Sequence, residues 1–563
     1  MSGGFLAHLQ ALADPMQQRW LWGRLGNRWS VAPEPPPPAY LHKVPDAEFP
    51  GRADFADLTP GKTETILLVL PGGETLRVAA GKIDGLMDRQ WSDPAAAAAF
   101  QGFAWMVQDP DGTALATLWP AWLARHSTAE PSSLAWNADV VAERAIMLLD
   151  MAERHGLPAP RSKILTILGA HAAILLNSFT ERSAPPSALA RRAHALARLG
   201  LDLDMPATAD FGLAALLAEC GRLQLPSGIG NMESTHHHLR LCHSLADTWL
   251  AARRFGRSET PALERVLRQA LAVLPLITLP GGMPLIGDVA ENLPGGWLNG
   301  LLRGGDMSGW IGRLAAEDRV RIEELRDQCL LPDLEALRAD GWLRLDQNGW
   351  SGLWHAVPGG WPAFDGHGHQ DLGSCELHFE GVPIFVDPGG SPQGAINGQG
   401  KCRSATAHGG LQLNRRDPYP LNHPAYSDDF RRYAGGTSPR LQAEFDGAHL
   451  LFGGLAGIGG LREGSRQWHF TDDGFTLDDR LNGTGRYRLS RRLLTPLAAR
   501  REDPQTVILE GSGRRFRVSA DHPLNIGPGL RWAGFGVAEP LSCIEISGRI
   551  NLPWRGQIRV LAF

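Results

Sequence analysis

Long apolar runs are missing from this 563-residue chain, and no stretch reaches the roughly eighteen residues a membrane-spanning helix needs. Met1 to Trp29 lack a basic segment followed by a long apolar core, so no secretory signal is evident. Cysteine is sparse: six residues, at 220, 242, 329, 375, 402 and 543, without metal-type spacing. The sequence therefore demands no disulfides and tolerates a reducing compartment. A basic excess is absent too, with 55 Lys and Arg against 60 Asp and Glu and a net charge of -5, which argues against a nucleic-acid-binding face. Tyrosine is rare: all five, at 40, 419, 426, 433 and 487, lie outside residues 85–338.

What is present is ordinary for a globular chain, 43% hydrophobic and 20% charged, and long enough for two or three cores. Residues 1–84 read as a proline-rich arm, with Pro33 and Pro35 to Pro38, followed by a small hairpin over Thr65 to Leu70 and Thr75 to Ala79. Residues 85–338 show apolar spacing of three to four. The predicted helices are Val140 to His155, Arg161 to Thr180, Ala188 to Leu201, Phe211 to Leu223, Ser234 to Arg254, Pro261 to Leu274 and Ala315 to Arg338. From residue 339 to 563 the period falls to two, in short strands divided by Gly, Asn and Asp that predict a β-sandwich. Arginine clusters at Arg431-Arg432, Arg486 to Arg492, Arg500-Arg501 and Arg514-Arg515 read as solvated strand edges. The fold class is α+β, multidomain.

One stretch concentrates chemistry. Gly366-His367-Gly368-His369-Gln370-Asp371 leads into a strand ending at Phe379, a turn at Glu380-Gly381, and a second strand ending at Asp387-Pro388-Gly389. Folding the hairpin back brings Asp387 near the His-Gly-His lead-in, and His408 follows a glycine-rich loop. Two or three imidazoles with a carboxylate suit a borderline-soft divalent cation such as Zn2+. The plainer reading is a turn-capping aspartate beside hydrogen-bonded histidines, and no short-spaced HxxxH or CxxC decides between the two.

The pattern G-H-G-H-Q-D-x-G-S-x-E-L-x-x-x-G-x-P-x-x-V-D-P-G, from Gly366 to Gly389, resembles the C-terminal signature of heparinase II/III-like polysaccharide lyases. The resemblance continues into Ser404-Ala405-Thr406-Ala407-His408. It implies an N-terminal α/α toroid, an incomplete (α/α) barrel, followed by an antiparallel β-sandwich. It also implies a structural divalent metal, of Zn2+ type, at His369, Asp387 and His408, with His367 facing the substrate. The partner implied is an acidic polysaccharide or oligosaccharide, and the location is the periplasm or cell envelope, against which stands the missing signal segment.

Lyases of this family cleave uronic-acid polysaccharides by β-elimination, which needs the carboxylate neutralised, a base for the C5 proton and an acid for the leaving oxygen. The helical domain offers Asn231-Met232-Glu233-Ser234-Thr235-His236-His237-His238, where relatives show a Glu and then Ser-x-x-Tyr-His. Aligned on Ser234, His237 takes the tyrosine position and His238 the following histidine. The resemblance thus makes His367, His237 and His238 the catalytic candidates and Asn231, Glu233 and Arg403 the substrate contacts. Two departures stand out: histidine replaces tyrosine, and Ala188-Leu189 replaces an expected Asn-His pair. They leave open a second reading, a catalytically degenerate glycan-binding or polysaccharide-assembly protein of the same fold. A glycoside hydrolase would need paired carboxylates, and none stands out. His171, in an apolar run, reads as a buried core histidine, and Asp288 as a cap or a ligand group.

Overall fold

The computed structural model describes residues 15–33, 36–51, 54–59, 63–71, 74–180, 185–290, 292–294, 296–361, 368–390, 402–420, 422–423, 425–434, 438–534 and 536–563. The principal helices are α1 (Pro15–Leu25), α2 (Thr113–His126), α3 (Ala138–His155), α4 (Arg161–Ser178), α5 (Pro186–Asp202), α6 (Pro206–Leu223), α7 (Thr235–Arg254), α8 (Thr260–Ile277), α9 (Ala316–Asp327), α10 (Leu334–Ala339) and α11 (Asp428–Ala434). The expected single helix from Ala315 to Arg338 is two, α9 and α10. The first ends at Asp327 with Gln328 as its C-cap, and the Asp333 side chain caps the second at Glu335 N. No helix among the described residues is long and apolar enough to cross a membrane.

Helices α3 to α8 form the incomplete toroid, packing around Leu148, Leu168, Leu196, Leu216, Leu245 and Leu271, all buried. The α5 and α6 backbones nearly touch: a Cβ on Gly200 would lie 2.2 Å from Ala209 N, and one on Gly212 2.4 Å from Ala197 N. Small residues at that crossing are a steric requirement. His171 is the core histidine expected, accepting from the buried Arg144 guanidinium at its Nε2, 3.2 Å away.

Among its described residues the arm packs as a strap. Proline fixes its extended course, and aromatic anchors pin it at both ends. Trp20 on α1 packs with Tyr426 and Phe430 of the β-domain. Tyr40 enters the toroid core between Phe179 and Phe211 and donates to Glu219 at 2.5 Å. The hairpin lies where the spacing puts it, as β1 (Thr65–Val69) and β2 (Thr75–Ala79).

The β-domain begins with β3 (Trp342–Gln347), β4 (Trp350–His355), β5 (Cys375–Phe379) and β6 (Val382–Phe385), one antiparallel sheet in that order. Next come β7 (Leu411–Leu413), β8 (Arg440–Glu444), β9 (Gly447–Phe452), β10 (Leu461–Thr471), β11 (Gly474–Gly483), β12 (Arg486–Thr495) and β13 (Ala498–Asp503). The last are β14 (Thr506–Gly511), β15 (Arg514–Ala520), β16 (Leu524–Gly534), β17 (Val537–Asn551) and β18 (Trp554–Ala562). An eight-stranded sheet, β13-β14-β15-β18-β11-β10-β9-β8, and a four-stranded sheet, β16-β17-β12-β7, enclose a core that includes Trp468, Phe475, Ile544 and Ile558.

Not all the arginine clusters are solvated edges. Arg491 of the Arg486 to Arg492 cluster, on β12, is buried between the sheets, as is Arg466 on β10, outside those clusters, and both reach Asp479 of β11. Arg466 stands directly opposite Asp479 in the strand register and also donates to Gly373 O, 2.9 Å away, just before β5. A β-strand can turn every second arginine inward when a carboxylate waits there, so composition alone misreads these strands.

The toroid holds a comparable network. Arg198 on α5 pairs with Glu153, Asp202 and Asp247, and His194 pairs with Asp247 at 2.7 Å. Arg198→Met would leave Asp202 and Asp247 buried without their cation, and thermal or denaturant unfolding should show a loss of about 3–5 kcal/mol.

Candidate functional site

The signature segment folds as its pattern suggests. Glu380 (φ 46°) and Gly381 (φ 83°) form a two-residue turn with both residues left-handed, the geometry that matches the twist of paired strands. A register shift between Leu377 and His378 bulges β6, after which Val386 N donates to Leu494 O of the facing sheet at 3.0 Å. Asp387 then meets the start of β5, where it accepts from Ser374 Oγ at 2.7 Å. Both faces of β5 are buried. Its apolar residues fill the sandwich core, while Glu376 and His378 turn toward the toroid, where His378 Nδ1 accepts from Gly281 N at 3.1 Å.

His369, Asp387 and His408 come together, all nearly fully buried. His408 Nδ1 lies 3.0 Å from Asp387 Oδ2, and the His369 and His408 rings are 5.1 Å apart. Burial alone would raise the Asp387 carboxyl, but His408, Ser374 and His369 outweigh it and hold it below the usual carboxylate range. Burial likewise opposes the charged form of His408, yet Asp387 outweighs it and raises the imidazole pKa. His369 Nε2 turns instead to Asp288 Oδ1, 3.0 Å away.

Asp288, from the loop after α8, is the residue that sequence reading left undecided. It is fully buried and also receives Arg403, Nη2 to Oδ2 at 3.0 Å and Nε to Oδ1 at 3.2 Å. Its carbonyl accepts from Ser234 Oγ at 2.5 Å, and Val289 N donates to Gly390 O at 2.6 Å. Arg403 is thus paired with Asp288 through Nε and Nη2. The donor types around Asp387 suit a divalent cation. Among the described residues no group of three or more His, Cys, Asp or Glu is set to hold an ion, and these donors pair with one another.

Across the interface Ser234 caps α7, its hydroxyl accepting from His237 N at 3.0 Å. The three histidines that follow divide by direction, since neighbours on a helix sit about 100° apart. His238 is spent on structure: Nδ1 accepts from Gly230 N at 3.0 Å, so Nε2 carries the proton donated to Ala270 O at 3.0 Å. Both ring nitrogens of this catalytic candidate are therefore engaged by backbone groups. His236 Nδ1 accepts from Ala290 N at 3.2 Å. His237 shares a small pocket with Ser187, Met232, Arg191 and Arg240, and burial holds its pKa well below the ordinary imidazole value.

The remaining expected residues scatter. Glu233, at φ 52°, turns its carboxylate toward the sandwich, where it helps raise the pKa of buried His355 and Tyr419. Asn231 is half-buried, its backbone N–H donating to Leu223 O at 2.5 Å. His367 lies outside the described residues. Sequence reading missed Arg191 and Arg240, which flank His237. Arg240 donates to Glu143 Oε1 at 2.6 Å and Asn292 Oδ1 at 3.1 Å, whereas Arg191 lies 3.7 Å from Glu143 and 3.8 Å from Asp139. Their spacing along amphipathic helices is indistinguishable from that of surface arginines, so no local signal marks them.

Residues 330–553 match the family model "Heparinase II/III-like, C-terminal". No curated protein matches the chain. Among solved structures, heparinase III superposes with a TM-score of 0.62 at 14% identity, over 83% of this chain and 76% of its own. A heparan sulfate lyase HepC mutant from Pedobacter heparinus gives 0.56 at 14%, over 93% and 87%. A further heparinase III gene product gives 0.55 at 14%, over 98% and 92%. The chain is thus similar over residues 330–553 to the heparinase II/III-like C-terminal domain, and it has the toroid-and-sandwich fold of heparinase III and related polysaccharide lyases.

Proposed function

We propose that this chain is a polysaccharide lyase, cleaving a uronic-acid-containing acidic polysaccharide by β-elimination between toroid and sandwich. The observation that carries the reading is His237 at the capped start of α7, with Arg191 and Arg240 in one pocket. Removing the C5 proton of a uronate places negative charge on its carboxylate, and a cation there lowers the barrier. Arg191, whose nearest carboxylates stand at 3.7 and 3.8 Å, has charge to offer, while Arg240 is more tightly held by Glu143. His237, kept neutral by burial, is in the form that accepts a proton. It takes the C5 proton, the C4–C5 double bond forms, the C4–O4 bond breaks, and the leaving O4 must gain a proton. His367 is assigned that last transfer on family resemblance.

A panel of uronic-acid polysaccharides is expected to yield the unsaturated product, read by its ultraviolet absorbance, from at least one member, and no product from any would overturn the lyase reading. His237→Ala should lower kcat by about a hundredfold or more. Because the His237 pKa is depressed, the neutral base persists as pH falls through the ordinary imidazole range. The acid limb of kcat/KM should therefore lie below about 6.5, and a limb at or above that value would remove His237 as the base.

The degenerate reading has an observation in its favour, the loss of both the tyrosine and a usable His238. It is adopted if polysaccharide binds the protein and no product forms. A divalent ion at His369, Asp387 and His408 is a separate proposal, supported by the donor types and their shared burial. Elemental analysis of purified protein should find about one zinc-type ion per chain, lost in His369→Ala. A metal-free wild-type protein would leave the Asp288–Arg403 and Asp387–His408 pairs to hold these loops unaided.

A further inference from the structure

A cavity of about 220 Å³ lies on the other side of the α7 start from the His237 pocket, between the toroid loop 281–299 and strands β5, β16 and β17. His236 faces it, with its ring 6.5 Å from that of His237 and nearly perpendicular. Its size falls below the roughly 300–1,000 Å³ of sites for drug-sized ligands, so it suits one ring rather than a chain. Met283, Leu285, Leu293 and Trp297 give it apolar walls.

Its polar groups are built in. Glu376 is 1% exposed, and its Oε1 is shared by His378 Nε2 and Arg531 Nη2, each at 3.1 Å. Glu376 Oε2 and Arg531 Nε are buried with no partner among the described residues. A buried carboxylate oxygen left unmatched is costly, and such groups in a native protein call for a ligand or water. His236 accepts at Nδ1, so its neutral ring carries the proton on Nε2, and burial keeps it neutral with a pKa lowered to about 3. Glu539, opposite Arg531 in the strand register, adds an exposed carboxylate at the rim. Two carboxylates against one guanidinium leave the lining negative, so it accepts hydroxyl and ammonium donors and repels anions.

We propose that this cavity is a second saccharide site, taking a single neutral or amine-bearing sugar ring and rejecting a uronate, with Glu376 Oε2 as the acceptor that selects it. The proposal concerns binding alone and does not depend on the lyase reading. Ligand-observed NMR titrations of the full chain with glucosamine, glucose and glucuronate test it. Glucosamine and glucose should bind saturably and glucuronate about tenfold or more weaker, since a buried like charge opposes it. Glu376→Gln should weaken glucosamine binding about tenfold. Ala533→Leu, which adds bulk to the half-buried wall without touching the carboxylate, should weaken it as much while leaving the melting temperature near wild type. Glucuronate binding as well as glucosamine would overturn the proposal, as would both variants binding like wild type, or no sugar binding at all.

Discussion

Asp288 is the point on which the two domains depend. It stands in a toroid loop, yet its carboxylate is satisfied by His369 and Arg403 of the sandwich, while its carbonyl is held by the serine that caps α7. Burying a carboxylate completely is affordable only with such partners, and removing them would leave an uncompensated charge at the interface. One residue therefore sets the position of the signature loop relative to the helix start that carries His237. The geometry of any cleft between the domains follows from that tie.

Much of this architecture was legible in the sequence, and the parts that were not share a cause. The change from a period of three to four to a period of two places the toroid and the sandwich, and the Glu380-Gly381 turn and Ser234 cap carry their own local chemistry. Asp288, Arg191, Arg240 and Arg466 were not legible, because each is defined by a partner far along the chain. Arg466 illustrates it: within Leu461–Thr471 it is one more polar residue in an alternating strand, and only the register with Asp479 makes it a core group. Arg403 and His238 illustrate the opposite case. Each residue type fits the chemistry, but the fold had already used their hydrogen-bonding groups.

The same accounting separates the two sides of β5. Alternation predicts one buried and one exposed face for a strand in a half-covered sheet. Here the polar face is buried too, because the toroid loop after α8 covers it and His378 bonds to Gly281. Glu376 and His378 are polar residues retained at a closed interface, where apolar ones would pack at less cost in desolvation. That is a reason to read chemistry into them.

The exchange of tyrosine for histidine at the α7 start bears most directly on mechanism. A phenol titrates near 10 and serves as a base only after losing its proton, whereas an imidazole held below its usual pKa is already the free base at neutral pH. Once protonated, a ring whose pKa is lowered by burial and by the Arg191 and Arg240 charges is a strong acid and gives its proton up readily. A single group can serve as both base and acid only if its pKa suits each step. On the proposed lyase reading, the assignment of the leaving-group proton to the sandwich side therefore rests on family resemblance, and that route is the one that depends on the relation between the two domains held at Asp288.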